Sequence, residues 1–280
     1  VIRCVTSDMF FDPRRRGRGR GRALATAFGF VLLLAGRAAA QPPSRVLFIG
    51  NSLTYWNDLP LLVEAMAAAK GLSLSSEVVA RADASLEDYW GDAIRGRIRQ
   101  GGFRWVVLQQ GPSSLPESRA NLREWTRRFA EEIRASGATP ALYMVWPHRS
   151  RRAFFPQVIE SYRLANADAE GVLLPAGEAW LAAWQLDSGL GLYSPNSLHP
   201  SRLGTYAAAA TILSSLTGVS PIGLGNAHGP EVGRRGRPYL HRGLLGGRKG
   251  RAVRDLEGDV DLRSFAVRQK FFRKRLDRRQ

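Results

Sequence analysis

The chain has 280 residues, of which 44% are hydrophobic and seven are Trp, so a protein that is disordered throughout is excluded. The formal net charge of +17 would favour nucleic acid or an anionic membrane if it covered the folded part. Residues 41–225, however, hold 17 basic against 16 acidic residues, and the excess lies in residues 1–40 and 226–280. We therefore expect no nucleic-acid partner.

The first 40 residues have the order of a secretory signal peptide. Arginines are dense from Arg14 to Arg22, the apolar stretch 23–36 follows, and three alanines end at Ala40. The apolar stretch is shorter than the roughly 20 residues that span a bilayer as a helix. We expect cleavage after Ala40, export to the periplasm or the medium, and no stable membrane span in the mature chain.

From Arg45 onward, short apolar runs alternate with longer stretches of helical periodicity. Strict alternation with nearly continuous apolar strands predicts an α/β fold, a three-layer α/β/α sandwich with a mainly parallel five-stranded sheet, over residues 41–225. Ligands of such sheets bind at the carboxyl ends of the strands. The predicted strands are 45–50, 74–80, 104–109, 139–146 and 171–176, and the predicted helices are 59–70, 86–100, 117–136, 153–169 and 203–217.

Residues 226–280 are rich in Gly and Arg and show no sustained apolar period. Such a composition cannot bury a core, so we predict a disordered basic tail. Three interpretations of the tail stay open: a solvated segment, a polybasic surface anchor, or the product of an out-of-frame reading of GC-rich DNA.

Cysteine and histidine usage limits the kinds of metal site. Cys4 is the only cysteine, and it precedes the predicted cleavage site, so the mature chain can form neither a disulfide nor a thiolate zinc site. The histidines at 148, 199, 228 and 241 form no HxH or HxxxH pair. We expect no metal and no cofactor.

Ser52 is the first residue whose position suggests chemistry. It lies in "FIGNSLTYWNDLP", two residues after a predicted strand ends at Gly50 and before a helix that begins near Pro60. A serine at a strand-to-helix turn has an exposed hydroxyl and a free backbone N–H, as a nucleophile beside an oxyanion site requires. A helix-capping serine fits the same position.

His199 is the second candidate, in "YSPNSLHPSRLGTYAAAA" just before an Ala-rich helix. A histidine in a loop near the carboxyl edge of the sheet could reach a serine from the first strand and act as its base. A surface histidine at a helix start is the alternative for this segment taken alone.

Together, these segments resemble the SGNH hydrolases, with "GNSLT" similar to the first block and "SLHPSRLGTY" similar to the last. Three further segments, "ASLEDYW" (84–90), "VVLQQ" (106–110) and "GEAW" (177–180), resemble the branch whose third block bears Gln instead of Gly-x-Asn-Asp. The resemblance covers residues 45–222 and implies a flavodoxin-like SGNH hydrolase fold.

The resemblance also implies roles for individual residues. Ser52 would be the nucleophile and His199 its base. The oxyanion would be held by the backbone N–H groups of Ser52 and Asp83 and by the side-chain amide of Gln109 or Gln110. A Gln amide donates N–H much as an Asn amide does.

Two residues depart from the family pattern. Asp83 stands where the second block has Gly, and Asn196 stands where a D-x-x-H block has Asp, three residues before His199. Asn196 could offer its carbonyl oxygen to the imidazole N–H, but it brings no charge. Since Asp to Asn in a comparable triad lowers turnover about 10⁴-fold, we expect reduced activity.

The expected function is an exported serine esterase or acyl hydrolase acting on small or carbohydrate-linked esters through an acyl-enzyme on Ser52. Two alternatives stay open: a catalytically impaired SGNH domain that binds a glycan or lipid, and a surface-association protein that uses the basic tail. Trp146, His148 and Arg149 could line the site, although a strand end and loop is the favoured interpretation of their segment.

Overall fold

A computed structural model describes residues 42–224, which form a five-stranded parallel sheet covered by helices. The strand order is β2-β1-β3-β4-β5, and every neighbouring pair is parallel. All five carboxyl ends therefore lie at one edge of the sheet. The strands are β1 (Ser44–Gly50), β2 (Leu74–Ala80), β3 (Trp105–Leu108), β4 (Thr139–Tyr143) and β5 (Val172–Leu174).

Helices cover both faces of this sheet. One layer holds α3, α4 and α5, and the other holds α2, α6 and α7. The helices are α1 (Ser52–Tyr55), α2 (Leu59–Ala69), α3 (Asp92–Arg99), α4 (Pro116–Ala135), α5 (Phe155–Ala169), α6 (Ala176–Leu186) and α7 (Arg202–Thr217), with short 3₁₀ turns at Trp56–Asp58, Glu87–Tyr89 and Arg149–Phe154.

The core sits at the centre of the sheet, where β1 and β3 run side by side. Val46 to Ile49 are 0% exposed, and Val106 to Leu108 are at most 1% exposed, as expected for strands covered on both faces. Helix α7 is buried along most of its length because its alanines allow close packing. A Cβ at Gly204 would overlap the Leu192 carbonyl, so this position of α7 requires glycine.

The predicted fold class is confirmed, and most element bounds agree within two residues. The predicted helix 86–100 is shorter, because Gly91 adopts an extended conformation and α3 begins after it. Helix α6 was not predicted, since the strand was extended to Ala176. Pro175 cannot donate to a ladder, so β5 ends at Leu174 and the Ala- and Trp-rich run that follows becomes helical.

The predicted signal peptide (1–40) and the predicted basic tail (226–280) lie outside the described residues and stay predictions. Within 42–224, no helix is both long and apolar enough to cross a membrane. The same residues contain no cluster of three or more His, Cys, Asp or Glu side chains suited to a metal ion.

Candidate active site

The turn between β1 and α1 places Ser52 at the carboxyl edge of the sheet. Asn51 caps α1, because its Oδ1 accepts the backbone N–H of Leu53 at 3.1 Å. Ser52 is the first residue of α1, so its own N–H has no partner within that helix. Ser52 is only 8% exposed, so its hydroxyl is less exposed than the sequence predicted.

Gln109 lies beneath this turn and is 0% exposed. Its Oε1 accepts the backbone N–H of Asn51 at 2.8 Å and the hydroxyl of Thr54 at 2.7 Å. Its Nε2 donates to the carbonyl of Gln110. A Cβ at Gly50 would overlap both Thr54 Oγ1 and Gln109 Oε1, so only glycine permits this contact. Gln109 thus holds the turn at Gly50–Thr54, here called the nucleophile turn after the predicted role of Ser52. An oxyanion role of Gln109 would require its second amide hydrogen.

Gln110 connects a different loop to the sheet. Its Oε1 accepts the backbone N–H of Leu86 at 3.1 Å, and its Nε2 donates to Ser113 Oγ at 3.0 Å and Asn121 Oδ1 at 3.4 Å. Both amide hydrogens of Gln110 therefore have protein partners. Gln109 keeps a second amide hydrogen, but the residue is 0% exposed, so donating this hydrogen to an oxyanion would require a local rearrangement of the turn.

The loop after β2 brings Asp83 to the same edge. Asp83 has φ of 60°, in the left-handed region that glycine adopts readily and that Asp and Asn tolerate better than most residues. An Asp at this position therefore keeps a backbone conformation that Gly would also adopt. Asn51 Nδ2 donates to the Ala84 carbonyl at 3.1 Å, which ties the Asp83 loop to the nucleophile turn.

His199 reaches the site from a loop between α6 and α7 whose two ends are bonded to each other. An antiparallel bridge joins Tyr193 to Pro200, and the Ser194 N–H donates to the His199 carbonyl at 2.9 Å. Ser197, at the loop tip, has φ of 64°. This conformation turns the chain so that the imidazole projects toward α1.

The segment after β4 supports that loop from below. The indole N–H of Trp146 donates to the Leu198 carbonyl at 3.0 Å, and the backbone N–H of Arg149 donates to the Ser197 carbonyl at 2.8 Å. The His148 side chain accepts the N–H of Ser150 at 3.2 Å and so caps a 3₁₀ turn. Trp146 is fully buried, so it supports the loop and does not form a site wall.

The two chain segments meet at Ser52 and His199. His199 Nε2 lies 2.9 Å from Ser52 Oγ, although the residues are 147 positions apart in the sequence. Trp56 stacks on the imidazole with ring centroids 3.8 Å apart and 19° between the planes. Such a short nucleophile-to-base distance is what proton transfer requires.

Asn196 contacts the other nitrogen of the imidazole with its amide nitrogen. Its Nδ2 lies 2.7 Å from His199 Nδ1, while its Oδ1 accepts the backbone N–H groups of Leu198 at 3.1 Å and His199 at 2.9 Å. The Ser194 hydroxyl donates to the same Oδ1 at 2.9 Å. Rotating the Asn196 side-chain amide by 180° would place its NH₂ group against the N–H groups of Leu198 and His199, which are also donors. These two backbone groups therefore determine the orientation of the amide.

This orientation sets the tautomer of the imidazole. Because Asn196 donates to Nδ1, the neutral ring of His199 carries its proton on Nε2, facing Ser52. A base that accepts the serine proton needs the opposite tautomer. The expectation that Asn196 could present its carbonyl oxygen to the imidazole is not met in this arrangement.

The protonation of His199 reflects its surroundings. Burial lowers the pKa of His199 below its usual value, and the carboxylate of Asp83 partly offsets this effect. Burial and the same carboxylate raise the pKa of Tyr55. His199 is consequently neutral at pH 7, as a general base must be.

The sequence assigned no role to three residues that the structure places at the site: Asn51, Trp56 and Asn57. All three lie within five residues of Ser52, in the segment that carries the predicted nucleophile. Asn51 connects to Ala84, and Asn57 Nδ2 donates to the Pro200 carbonyl at 3.2 Å. The density of Asn and Trp around Ser52 was the available signal, but their partners are distant in sequence.

The sequence matches no protein-family model and no curated protein. Solved structures do match. A proposed SGNH hydrolase from Slackia heliotrinireducens is 22% identical with a TM-score of 0.54, over 62% of this chain and 99% of that one. A DUF4886 family protein from Bacteroides uniformis is 15% identical with a TM-score of 0.55, over 65% and 85%.

A third match is a mutant of Axe2, an acetyl-xylooligosaccharide esterase from Geobacillus. It is 13% identical with a TM-score of 0.51, over 63% of this chain and 95% of that one. Identities this low show the fold alone. The strand order, the described helices and these neighbours agree with the resemblance in the sequence, and residues 42–224 have the α/β fold of the SGNH hydrolases.

Proposed function

We propose that this protein is a serine esterase that hydrolyses small or carbohydrate-linked esters through an acyl-enzyme on Ser52. The single observation that carries the proposal is the 2.9 Å contact between Ser52 Oγ and His199 Nε2. It joins two segments that were each ambiguous alone, at the edge of the sheet where ligands of such folds bind.

In the proposed reaction, Ser52 Oγ attacks the ester carbonyl carbon and transfers its proton to His199 Nε2. The tetrahedral intermediate collapses as the carbon–oxygen bond to the alcohol breaks, and the imidazolium protonates the departing alcohol. Water then attacks the acyl-enzyme and gives a proton to His199, which returns it to Ser52 as the acid leaves.

The negative oxygen of the intermediate needs preorganised donors. We assign this role to the backbone N–H groups of Ser52 and Asp83, with Gln109 as the third donor. The Asn51 bond to Ala84 supports this assignment, because it connects the two loops that would supply the backbone donors. Asp83 is exposed, so its carboxylate can point to solvent while its N–H faces the site.

In this proposal, Asn196 lowers the rate of ester turnover relative to an enzyme with Asp at the same position. Each turnover begins from a tautomer in which Nε2 carries the proton, so the ring must first exchange its proton and break the bond from Asn196 Nδ2. This feature also favours a second candidate, an impaired SGNH domain that retains a glycan or lipid in the site without rapid hydrolysis.

The substrate class follows from the neighbours and stays a proposal. One matched structure is described as an acetyl-xylooligosaccharide esterase, and another as a proposed SGNH hydrolase. A short acyl group on a sugar hydroxyl is therefore the first substrate to test. Export belongs to the same proposal, and a mature N-terminus at Gln41 would support it.

A fluorophosphonate probe tests the proposal directly, because it forms a covalent bond only with an activated serine. We expect the purified mature chain to be labelled, and peptide mass spectrometry should place the label on Ser52. Ser52→Ala should abolish labelling, and His199→Gln should reduce it strongly. Labelling that survives Ser52→Ala would disprove the assignment.

If neither labelling nor hydrolysis of p-nitrophenyl acetate is detected in folded protein, the binding function is the better one. Acetylated xylooligosaccharides should then bind to the intact chain without being cleaved. Calorimetry with acetylated and deacetylated oligosaccharides would distinguish these outcomes.

A further inference from the structure

Trp56 covers one face of His199, and we propose that it is a positioning residue that orients the imidazole and stabilises its protonated form. In the proposed reaction, this would supply part of what a charged acid supplies elsewhere. The inference rests on the proposed function, but its physical content, a stacked ring that favours imidazolium, can be measured without any substrate.

The imidazole is held on three sides. Asn196 Nδ2 contacts Nδ1 at 2.7 Å, Ser52 Oγ contacts Nε2 at 2.9 Å, and the indole of Trp56 lies parallel to the ring at 3.8 Å. The first two contacts are single hydrogen bonds, about which the ring can tilt. The stacked indole is the contact that restricts this tilt.

Asn57 keeps Trp56 in place. It has φ of 53°, and its Nδ2 donates to the Pro200 carbonyl at 3.2 Å and to Thr205 Oγ1 at 2.8 Å. The residue after Trp56 is thereby bonded to the residue after His199. The stack is therefore anchored at its base by two hydrogen bonds that join the nucleophile segment to the start of α7.

The chemistry explains why a tryptophan is useful at this position. Proton transfer from Ser52 turns His199 into a cation, and Asn196 offers no charge to stabilise it. The negative face of an indole attracts a cation held against it, and Trp is the most effective side chain in this respect. The interaction strengthens only when the proton arrives, so it lowers the barrier more than it stabilises the resting state.

Other groups that face His199 must be separated from this effect. Asp83, on the loop after β2, is the charged group that raises the His199 pKa, and burial lowers it. Tyr55 precedes Trp56 and is neutral at pH 7, because burial and Asp83 raise its pKa further. A leucine at position 56 removes the aromatic face and keeps part of the apolar cover. Any cover lost with the smaller side chain would reduce desolvation and raise the His199 pKa, which is the opposite sign to the loss of the indole face.

The test is an NMR titration of the His199 ring in the whole mature chain, with its resonance assigned by its loss in His199→Gln. Trp56→Leu should lower the pKa by about 0.4–0.7 pH unit, the value of an exposed cation–π contact, and Trp56→Phe by less. Trp125→Phe, which alters a tryptophan that packs at a tilt against Trp90, should leave the His199 pKa unchanged.

Asp83→Asn provides a reference of known sign, because removing the carboxylate should also lower the pKa. An unchanged or raised pKa in Trp56→Leu would overturn the proposal and leave Trp56 as a cover against solvent. Should Trp56→Leu fail to give a folded spectrum, the Trp56→Phe variant is used instead, and a lowered His199 pKa is again the expected result.

Kinetics then separate this proposal from the proposed function. If the enzyme is active, Trp56→Leu should lower kcat several-fold with little change in KM. If folded protein never hydrolyses an ester, the proposed function fails, while the titration still decides whether Trp56 favours the imidazolium. An active enzyme whose kcat is unaffected by Trp56→Leu would overturn the positioning role.

Discussion

The nucleophile turn and the histidine loop reach the same point by different means. The turn at Gly50–Thr54 is buried and is held from below by Gln109, which is 0% exposed. The loop at Tyr193–Pro200 is mostly half-buried, with only Pro195 and Asn196 exposed, and it is held by backbone bonds and by one buried indole. A buried turn is positioned by the sheet itself, whereas a half-buried loop depends on a few individual contacts, so its geometry is easier to alter by single substitutions.

Asn196→Asp should give the largest effect, because it changes the histidine loop in both charge and tautomer. A carboxylate can accept the Leu198 and His199 N–H groups with one oxygen and the imidazole N–H with the other, so all the loop's bonds are kept. We expect ester turnover to rise by about two to four orders of magnitude, the upper value being the known Asp-to-Asn effect reversed.

The assay needs an intact asparagine at the start, because an Asn-Ser sequence deamidates and would mimic the variant. Mass spectrometry of the peptide around residue 196 should precede every measurement. Ser52→Ala combined with Asn196→Asp is the control and should be inactive. Equal turnover by the unmodified chain and the Asp variant would show that another group orients His199.

Gln109→Leu should produce the next largest effect, this time on the nucleophile turn. The substitution leaves the Asn51 N–H and the Thr54 hydroxyl without their buried acceptor. We expect the free energy of unfolding to fall by about 2–4 kcal/mol, since each unsatisfied buried group costs about 1–3 kcal/mol. Denaturant titration measures the change, and Gln157→Leu on the exposed face of α5 should lie within about 0.5 kcal/mol of the parent.

Trp146→Phe tests the indole that supports the histidine loop. Phe keeps the stacking with Trp180 but loses the bond to the Leu198 carbonyl, so kcat should fall about tenfold if that bond positions His199. Trp184→Phe is a matched control, because it loses a similar bond to the Leu190 carbonyl farther from the imidazole. A similar fall in kcat in both variants would mean that the aromatic cluster acts through stability alone.

The smallest predicted effect is on pH dependence. His199 acts as a base only when neutral, and burial lowers its pKa, so the acid limb of kcat/KM should have its midpoint below pH 6.5. Activity is present above this midpoint and is lost as the pH falls through it. Asp83→Asn should move the limb to lower pH and Asn196→Asp to higher pH. If neither substitution moves the midpoint of the acid limb, a group other than His199 is being titrated.

Much of the fold could be predicted from the sequence, because central parallel strands that are buried on both faces appear as short, nearly continuous apolar runs. The run at 45–50 is apolar after Arg45 and ends at Gly50, and the structure places β1 there. The run at 74–80 mixes polar and apolar residues, and it forms the half-buried edge strand β2. Helix α6 was not predicted, because the run "LLPA" was assigned to the strand, whereas Pro175 ends the pairing of β5 with β4 at Leu174.

The candidate pair of Ser52 and His199 came from the resemblance of two short segments to a known family, because neither segment was decisive alone. The same resemblance matched Asp83 to a glycine, but its left-handed backbone conformation, with φ of 60°, became known only from the structure. Residue types and their order along the chain can be compared with a family without knowing the fold, whereas backbone angles cannot.

Hydrogen-bond directions belong to the tertiary structure. The sequence does not show that Gln109 faces the nucleophile turn, that Trp56 lies on His199, or that Asn196 offers its nitrogen and not its oxygen to the imidazole. Each of these depends on which donors and acceptors distant segments bring together in space. The sequence by itself therefore determined the sheet, the layers and the types of reactive residue, and the tertiary structure decided the orientation and tautomer on which their chemistry depends.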